Sequence, residues 1–156
     1  PGYEISVVCG NNKSLQKKLS RRYEGNGSIH ILGFVTDMPA LLDSADLYLT
    51  KPGGISTTES AMKDIPMIFI DAVSGCEKYN LNFFESKSCA VSSSDIKELS
   101  RICIEYLKND EKRKELERNL QRREKTDASG IIYQYMKENR DYEISRSSQR
   151  LQALAN

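Results

Sequence analysis

Apolar residues recur along this chain in short bursts, and their spacing alternates between a strand period and a helix period. Glu4-Ile5-Ser6-Val7-Val8-Cys9 is β-branched and stops at Gly10-Asn11-Asn12, which predicts a strand and a turn. From Lys13 to Tyr23, Leu15 and Leu19 fall four apart among polar residues, the mark of an amphipathic helix, and Gly25-Asn26-Gly27 closes it. Ser28 to Val35 reads as a second strand. Asp37-Met38-Pro39 then opens a short helix, with Asp37 placed to cap and Pro39 in the first turn, where a missing N–H costs nothing.

The alternation continues. Leu47 to Thr50 is a third strand, Lys51-Pro52-Gly53-Gly54 a tight loop, and Ile55 to Lys63 a helix. Pro66 to Ile70 is almost wholly apolar, as expected of a strand covered on both sheet faces. After a loop from Asp71 to Lys78 come a helix from Tyr79 to Ser86 and a short strand from Ser88 to Val91. Asp95 and Glu98 form a capping pair for a helix with Ile96, Leu99, Cys103 and Leu107 on its buried stripe. A charged helical stretch from Glu111 to Lys125 follows, and Ala128 to Lys137 holds a last apolar group, Ile131, Ile132, Tyr135 and Met136. Strands alternating with helices predict an α/β fold: a parallel sheet with right-handed crossovers and helices on both faces. Such sheets bind ligands at the carboxyl ends of their strands. The informative loops are therefore 10–13, 33–38, 51–56 and 71–80.

Length and composition narrow the class. The 156 residues amount to one domain on a scale of roughly 150 residues each. No apolar run approaches the roughly 20 residues of a membrane span. Pro1-Gly2-Tyr3-Glu4 has neither the basic flank nor the apolar run of a secretory leader, and the missing initiator Met predicts a chain cut from a longer one. Net charge is +1, so no overall field argues for nucleic acid. Residues 1–100 hold 10 basic and 12 acidic side chains, whereas residues 101–156 hold 13 and 10. Lys112, Arg113, Lys114, Arg118, Arg122, Arg123 and Lys125 carry the difference. They read either as a solvated helix face laced with Glu or as a patch near anionic lipid headgroups. Cys9, Cys76, Cys89 and Cys103 lack any C-x-x-C spacing, which argues against zinc. Cys9, Cys89 and Cys103 lie among apolar residues as buried free thiols, in keeping with a reducing cytoplasm. His30 is the only histidine and reads as a strand residue rather than as a catalytic base.

The segment Thr50-Lys51-Pro52-Gly53-Gly54-Ile55-Ser56-Thr57-Thr58-Glu59 carries chemistry. Paired glycines let the backbone approach a ligand, and the helix behind them offers unpaired N–H groups at its positive end. Together they make a diphosphate cradle, without a P-loop or G-x-G-x-x-G motif. A second reading stands beside it: Ser56-x-x-Glu59 is also a capping box, in which both residues serve the helix and bind nothing.

Gly33-Phe34-Val35, Lys-Pro-Gly-Gly-x-Ser-x-x-Glu at 51–59, Pro66-Met67-Ile68 and Gly-x-Glu-Lys-x-Asn at 75–80 occur in that order. As a set they resemble the donor-binding half of glycosyltransferase family 28, nearest to diacylglycerol glucosyltransferases and monogalactosyldiacylglycerol synthases. The resemblance covers Ile5 to Lys137. It implies the C-terminal, Rossmann-like half of a GT-B glycosyltransferase. Residues 1–137 would then bind a UDP-sugar, and residues 138–156 would pack on the missing N-terminal half. By the same resemblance the Val35 backbone meets the uracil edge, with Phe34 beside the base. Glu59 takes the ribose hydroxyls, and Gly53, Gly54, Ser56 and Thr57 hold the diphosphate. Glu77 and Asn80 face the sugar. Relatives often carry Gln where Cys76 stands, which leaves sugar identity open. The implied reaction is inverting hexose transfer to a lipid such as diacylglycerol, with no cofactor and no metal. In keeping with that, no Asp-x-Asp occurs. The catalytic residues would lie in the missing half. The full-length protein would be cytoplasmic, peripheral on the inner face of the membrane, with no nucleic-acid partner. Alternatives are a stand-alone nucleotide-sugar-binding subunit of a split enzyme, an N-acetylglucosaminyltransferase of the lipid II type, or a Rossmann-like module without a ligand.

Overall fold

The computed structural model describes residues 2–72, 75–123 and 127–139. The elements are β1 (Ile5–Val8), α1 (Lys13–Arg22), β2 (Ile29–Leu32), α2 (Met38–Asp43), β3 (Tyr48–Thr50), α3 (Gly54–Met62), β4 (Met67–Ile70), α4 (Cys76–Ser86), β5 (Ala90–Ser93), α5 (Ile96–Lys108) and α6 (Asp110–Arg122). Residues 128–139 form a further helix that carries the last apolar group.

All strand pairs are parallel, as the alternation of elements predicts. They form two ladders rather than one continuous ladder, β1–β2 and β3–β4–β5. Ile5 stands opposite Ile29, Tyr48 opposite Met67, and Met67 opposite Ala90. No ladder hydrogen bond joins β1 to β3 among the described residues, and β3 is only three residues long.

The core forms around β4, whose Met67, Ile68 and Phe69 are fully buried. Ala61 of α3, Phe84 of α4, Cys89, Ala90 of β5 and Leu120 of α6 join Met67 and Phe69 in one cluster. The Phe69 and Phe84 rings meet edge to face, 5.9 Å between centroids, a geometry that aromatic quadrupoles favour. Strand β4 is thus covered on both faces, as its apolar run predicts.

Within Pro1–Arg123, four helices start on a side-chain cap. Asn12 accepts from the Leu15 amide, Asp37 from Ala40, Asp95 from Glu98 and Asn109 from Lys112. Asn109 also ends α5, so one extended residue separates α5 from α6. Arg113 fastens that joint by donating to the carbonyls of Tyr106 and Leu107 while pairing with Asp110. Its neighbours are paired as well: Lys112 with Glu105, and both Lys114 and Arg118 with Glu111. This stretch is therefore a charge-laced helix face, and the lipid-facing reading of residues 112–118 has no cluster of unpaired cations behind it.

The chain divides into two compact units, Pro1–Arg123 and Glu124–Asn156, where the sequence suggested a boundary after Lys137. The tail residues Tyr142, Ile144, Leu151 and Leu154 lie outside the described residues.

Ser60 provides a test of the packing around β4. It is fully buried, and its hydroxyl has no hydrogen-bond partner among the described residues. Ser60→Ala should leave stability unchanged or raise it by about 1 kcal/mol, because a desolvated, unsatisfied hydroxyl is removed. Phe69→Ala should cost about 3–5 kcal/mol. Urea unfolding measures both, and a clear loss in Ser60→Ala would show that the hydroxyl has a partner in solution.

Candidate functional site

The site is built at the carboxyl ends of β3 and β4. After Thr50 the chain turns at Lys51-Pro52-Gly53, with the Gly53 amide bonded back to the Lys51 carbonyl at 2.8 Å. Helix α3 then starts at Gly54, with Gly53 in the cap position and no side-chain cap bond. The amides of Gly54, Ile55 and Ser56 have no acceptor among the described residues. A Cβ on Gly53 would meet nothing within 4 Å, so the space above the loop is open.

This register overturns the capping-box reading of Ser56 and Glu59. A capping box needs its Ser just before the helix and its Glu at the third helical position. Here Ser56 is itself the third helical residue and Glu59 the sixth. The two glycines begin the helix earlier than the spacing suggested, which frees the exposed Glu59 carboxylate from any capping duty. Ser56 is half-buried, and no bond among the described residues uses its hydroxyl.

Thr57 points the other way. It is 1% exposed, and its hydroxyl donates to the Gly53 carbonyl at 2.8 Å, with Gly54 a second acceptor at 3.2 Å. Its one proton is committed to the loop backbone. The geometry therefore makes it a lock beneath the loop rather than a donor to a ligand above it.

Helix α4 starts in the same style. Gly75 is the cap residue, at φ +95°, a conformation that L side chains rarely adopt, and no side chain caps the helix. It begins at Cys76, earlier than the predicted Tyr79, so Cys76 and Glu77 lie in its first turn. Asn80 reaches across and donates to the Pro52 carbonyl at 2.9 Å. The structure thus brings Asn80 to the 52–54 loop, where the resemblance has it facing a sugar.

Phe34 and Val35 follow the carboxyl end of β2 on the other ladder, Phe34 67% exposed and Val35 half-buried. A Cβ on the preceding Gly33 would stand 3.1 Å from Gln16 Oε1, so Gly33 admits the close approach of α1. Gln16 therefore belongs to the surroundings of this loop. Nothing in its sequence position beside Leu15 marks it out.

Other chemistry lies elsewhere. A cleft of about 350 Å³ lies at the amino ends of β3 and β4, lined by residues such as Leu42, Asp46, Pro66 and Glu117. Its charges include the Lys63–Asp43 and Arg113–Asp110 pairs, and it is remote from the strand ends that carry the glycine loops. His30 is exposed and pairs with Glu4 at 2.5 Å. All four cysteines are free: Cys89 is buried, Cys9 and Cys103 half-buried, and Cys76 exposed. Burial pushes the Cys89 and Cys103 thiols up, which keeps them protonated and unreactive. No group of three or more His, Cys, Asp and Glu stands ready for a metal among the described residues. No helix among them is long and apolar enough to cross a membrane.

Parallel strands, glycine-started helices at their carboxyl ends and an open loop edge make the ligand-binding edge of a Rossmann-like α/β domain. The family model of the glycosyl transferases group 1 matches residues 5–123, and the chain belongs to that family. The motifs themselves suggested family 28, yet the relatives found are the diacylglycerol glucosyltransferases to which those motifs pointed. The chain is 33% identical over 111 residues to a processive diacylglycerol beta-glucosyltransferase of Staphylococcus epidermidis, a match covering 71% of this chain and 28% of that protein. It is 37% identical over 87 residues to the enzyme of the same name from Staphylococcus saprophyticus, covering 56% and 22%. Among solved structures, WaaG, a glycosyltransferase involved in lipopolysaccharide biosynthesis, matches with a TM-score of 0.59 at 17% identity, over 75% of this chain and 32% of that one. That likeness identifies the fold as GT-B. The match thus spans less than a third of these relatives' length.

Asn80 tests the link between the two loops. Asn80→Ala removes the donor to Pro52 and should cost about 1 kcal/mol of stability, the net worth of one hydrogen bond. Asn80→Asp should be no better, since a carboxylate cannot donate. Thermal or urea unfolding of both variants reads the effect, and wild-type stability in both would mean that the loops are held by other contacts.

Proposed function

We propose that this chain is the donor-binding domain of an inverting glycosyltransferase that moves a hexose from a UDP-sugar to a lipid hydroxyl such as that of diacylglycerol. The observation that carries this reading is the start of α3. Helices α1, α2, α5 and α6 are capped by side chains, whereas α3 leaves three amides open behind Gly53 and Gly54. Unpaired amides at the positive end of a helix are a site for an anion, and a diphosphate fits it. The family membership and the relatives' names support the choice of donor and acceptor.

In this reading the acceptor oxygen attacks the anomeric carbon from the face opposite the diphosphate. The bond from that carbon to the diphosphate oxygen breaks, and UDP departs with the electron pair. The Gly54, Ile55 and Ser56 amides and the Ser56 hydroxyl stabilise the growing charge, because dipoles fixed in place beforehand need no reorganisation. Glu59 accepts the ribose hydroxyls with its two oxygens. Phe34 lies beside the base, whose edge meets the Val35 backbone, and Glu77 faces the sugar. Thr57 and Asn80 hold the loop in shape. The acceptor proton goes to a base outside this chain, so the chain should bind UDP weakly and transfer nothing alone.

Glu59→Gln is the deciding variant. It should weaken UDP binding by about 1–3 kcal/mol, the range for a hydrogen bond to a charged group, with the fold unchanged. Calorimetry on the wild type and the variant measures it. Equal affinity would remove Glu59 from the site, and absence of UDP binding by the wild type would remove the donor-domain reading.

A further inference from the structure

We infer that the outward face of α1 is a docking surface for an anionic phospholipid bilayer. This inference rests on the lipid-acceptor reading for its choice of partner. Its physical basis is independent of that reading.

Helix α1 carries Lys13, Lys17, Lys18, Arg21 and Arg22 and no acidic residue. Ser14, Lys17, Lys18, Arg21 and Arg22 line one shallow concavity. Their spacing of three and four places them on a single helix face. The other face carries Gln16 and Leu19, half-buried, and α1 packs against β2. Leu15, 41% exposed, borders the cationic stripe one turn from Lys18. The helix therefore has an inward side against the sheet and an outward side of cations with an apolar fringe.

Unlike Lys112, Arg113, Lys114 and Arg118 of α6, none of these five makes an ion pair among the described residues. Arg22 alone has a charge partner of another kind, the Tyr23 ring at 5.8 Å. Lys13 and Lys17, Lys17 and Arg21, and Lys18 and Arg22 are like charges at i, i+4, an arrangement that destabilises a helix. Lys13 also lies at the positive end of the helix dipole, where a cation is unfavourable. No ion pair among the described residues offsets this repulsion, whereas a negative surface outside the chain would.

Among anionic partners, a bilayer fits best. A broad cationic face with an apolar fringe is the pattern of a helix lying in the headgroup region. The chain's net charge of +1 and the lack of an aromatic on α1 do not favour nucleic acid. The placement is also apt. Gln16 of the same helix abuts Gly33, next to Phe34. One helix would therefore meet the membrane on one side and support the base-binding loop on the other.

The test uses the full chain and co-sedimentation with phosphatidylcholine vesicles, with and without phosphatidylglycerol. Binding should require phosphatidylglycerol and weaken as salt is added, because exposed charges are screened. Each Lys or Arg near an anionic surface strengthens binding about fivefold. The triple variant Lys17→Gln, Lys18→Gln, Arg21→Gln should therefore lose roughly a hundredfold in partitioning, with unchanged circular dichroism. The control Lys112→Gln, Lys114→Gln, Arg118→Gln should bind as the wild type does. Equal binding to both kinds of vesicle, full binding by the triple variant, an equal loss in the control, or tighter binding to duplex RNA than to vesicles would each overturn the inference. UDP calorimetry on the same samples separates the two readings. A chain that binds phosphatidylglycerol vesicles but not UDP keeps this surface and loses the donor site, and the reverse result does the opposite.

Discussion

The burial of β4 is the constraint on which the rest of unit Pro1–Arg123 depends. With Met67, Ile68 and Phe69 fully out of water, both faces of the strand must be covered. Helix α3 supplies Thr57, Ser60 and Ala61 as its buried residues, and α4 supplies Phe84 against the Phe69 ring. Two helices that follow successive parallel strands and pack beside them must begin at the same edge of the ladder. Their amino termini, with the dipole ends they carry, are therefore brought together by core packing. The hydrogen bond from Asn80 to the Pro52 carbonyl fastens that convergence at the surface.

What distinguishes this edge is the choice of cap. Side-chain caps on α1, α2, α5 and α6 satisfy amides that would otherwise seek water. Glycine at the start of α3 and of α4 gives up that local bond. The loss is concentrated where the backbone is open to a ligand, and Thr57 limits it by holding the Gly53 carbonyl from below. The helix is thus pinned through its acceptor side while its donors stay free. That asymmetry suits an anion, and a cap residue with an oxygen side chain would compete for the same amides.

Much of this was legible in the sequence. The alternating periods gave the order of elements, the apolar run at 66–70 marked the buried strand, and Asp37 and Asp95 cap as their positions predict. The glycine pair marked the loop. Register was harder, because Ser56 and Glu59 have capping-box spacing, and only the backbone shows α3 already under way when Ser56 is reached. The bond from Asn80 to Pro52 spans 28 positions, and Gln16 meets Gly33 across α1 and β2. Contacts of that separation leave no periodic trace. The division of five strands into two ladders reflects the lack of a bonded pair between β1 and β3 among the described residues, and local patterning is silent on pairing between non-consecutive strands.

Charge illustrates the same limit from the other side. Counting basic residues drew attention to 112–125, where cations are densest. Density matters less than what stands opposite, however. Glu105 lies within reach of Lys112 because α5 folds back on α6 at Asn109, while Asp110 and Glu111 pair with Arg113, Lys114 and Arg118 along α6 itself. The cations of α1 look unremarkable in sequence, scattered between Leu15 and Leu19. Leu15 lies at the edge of the stripe and Leu19 is half-buried, and none of the α1 cations makes an ion pair among the described residues. An unpaired cation keeps its full charge at the surface, whereas a paired one presents little beyond a dipole, and salt screens both over a Debye length. Long-range attraction in this molecule is therefore set by the pairing pattern that the fold creates, and a net charge near zero conceals it.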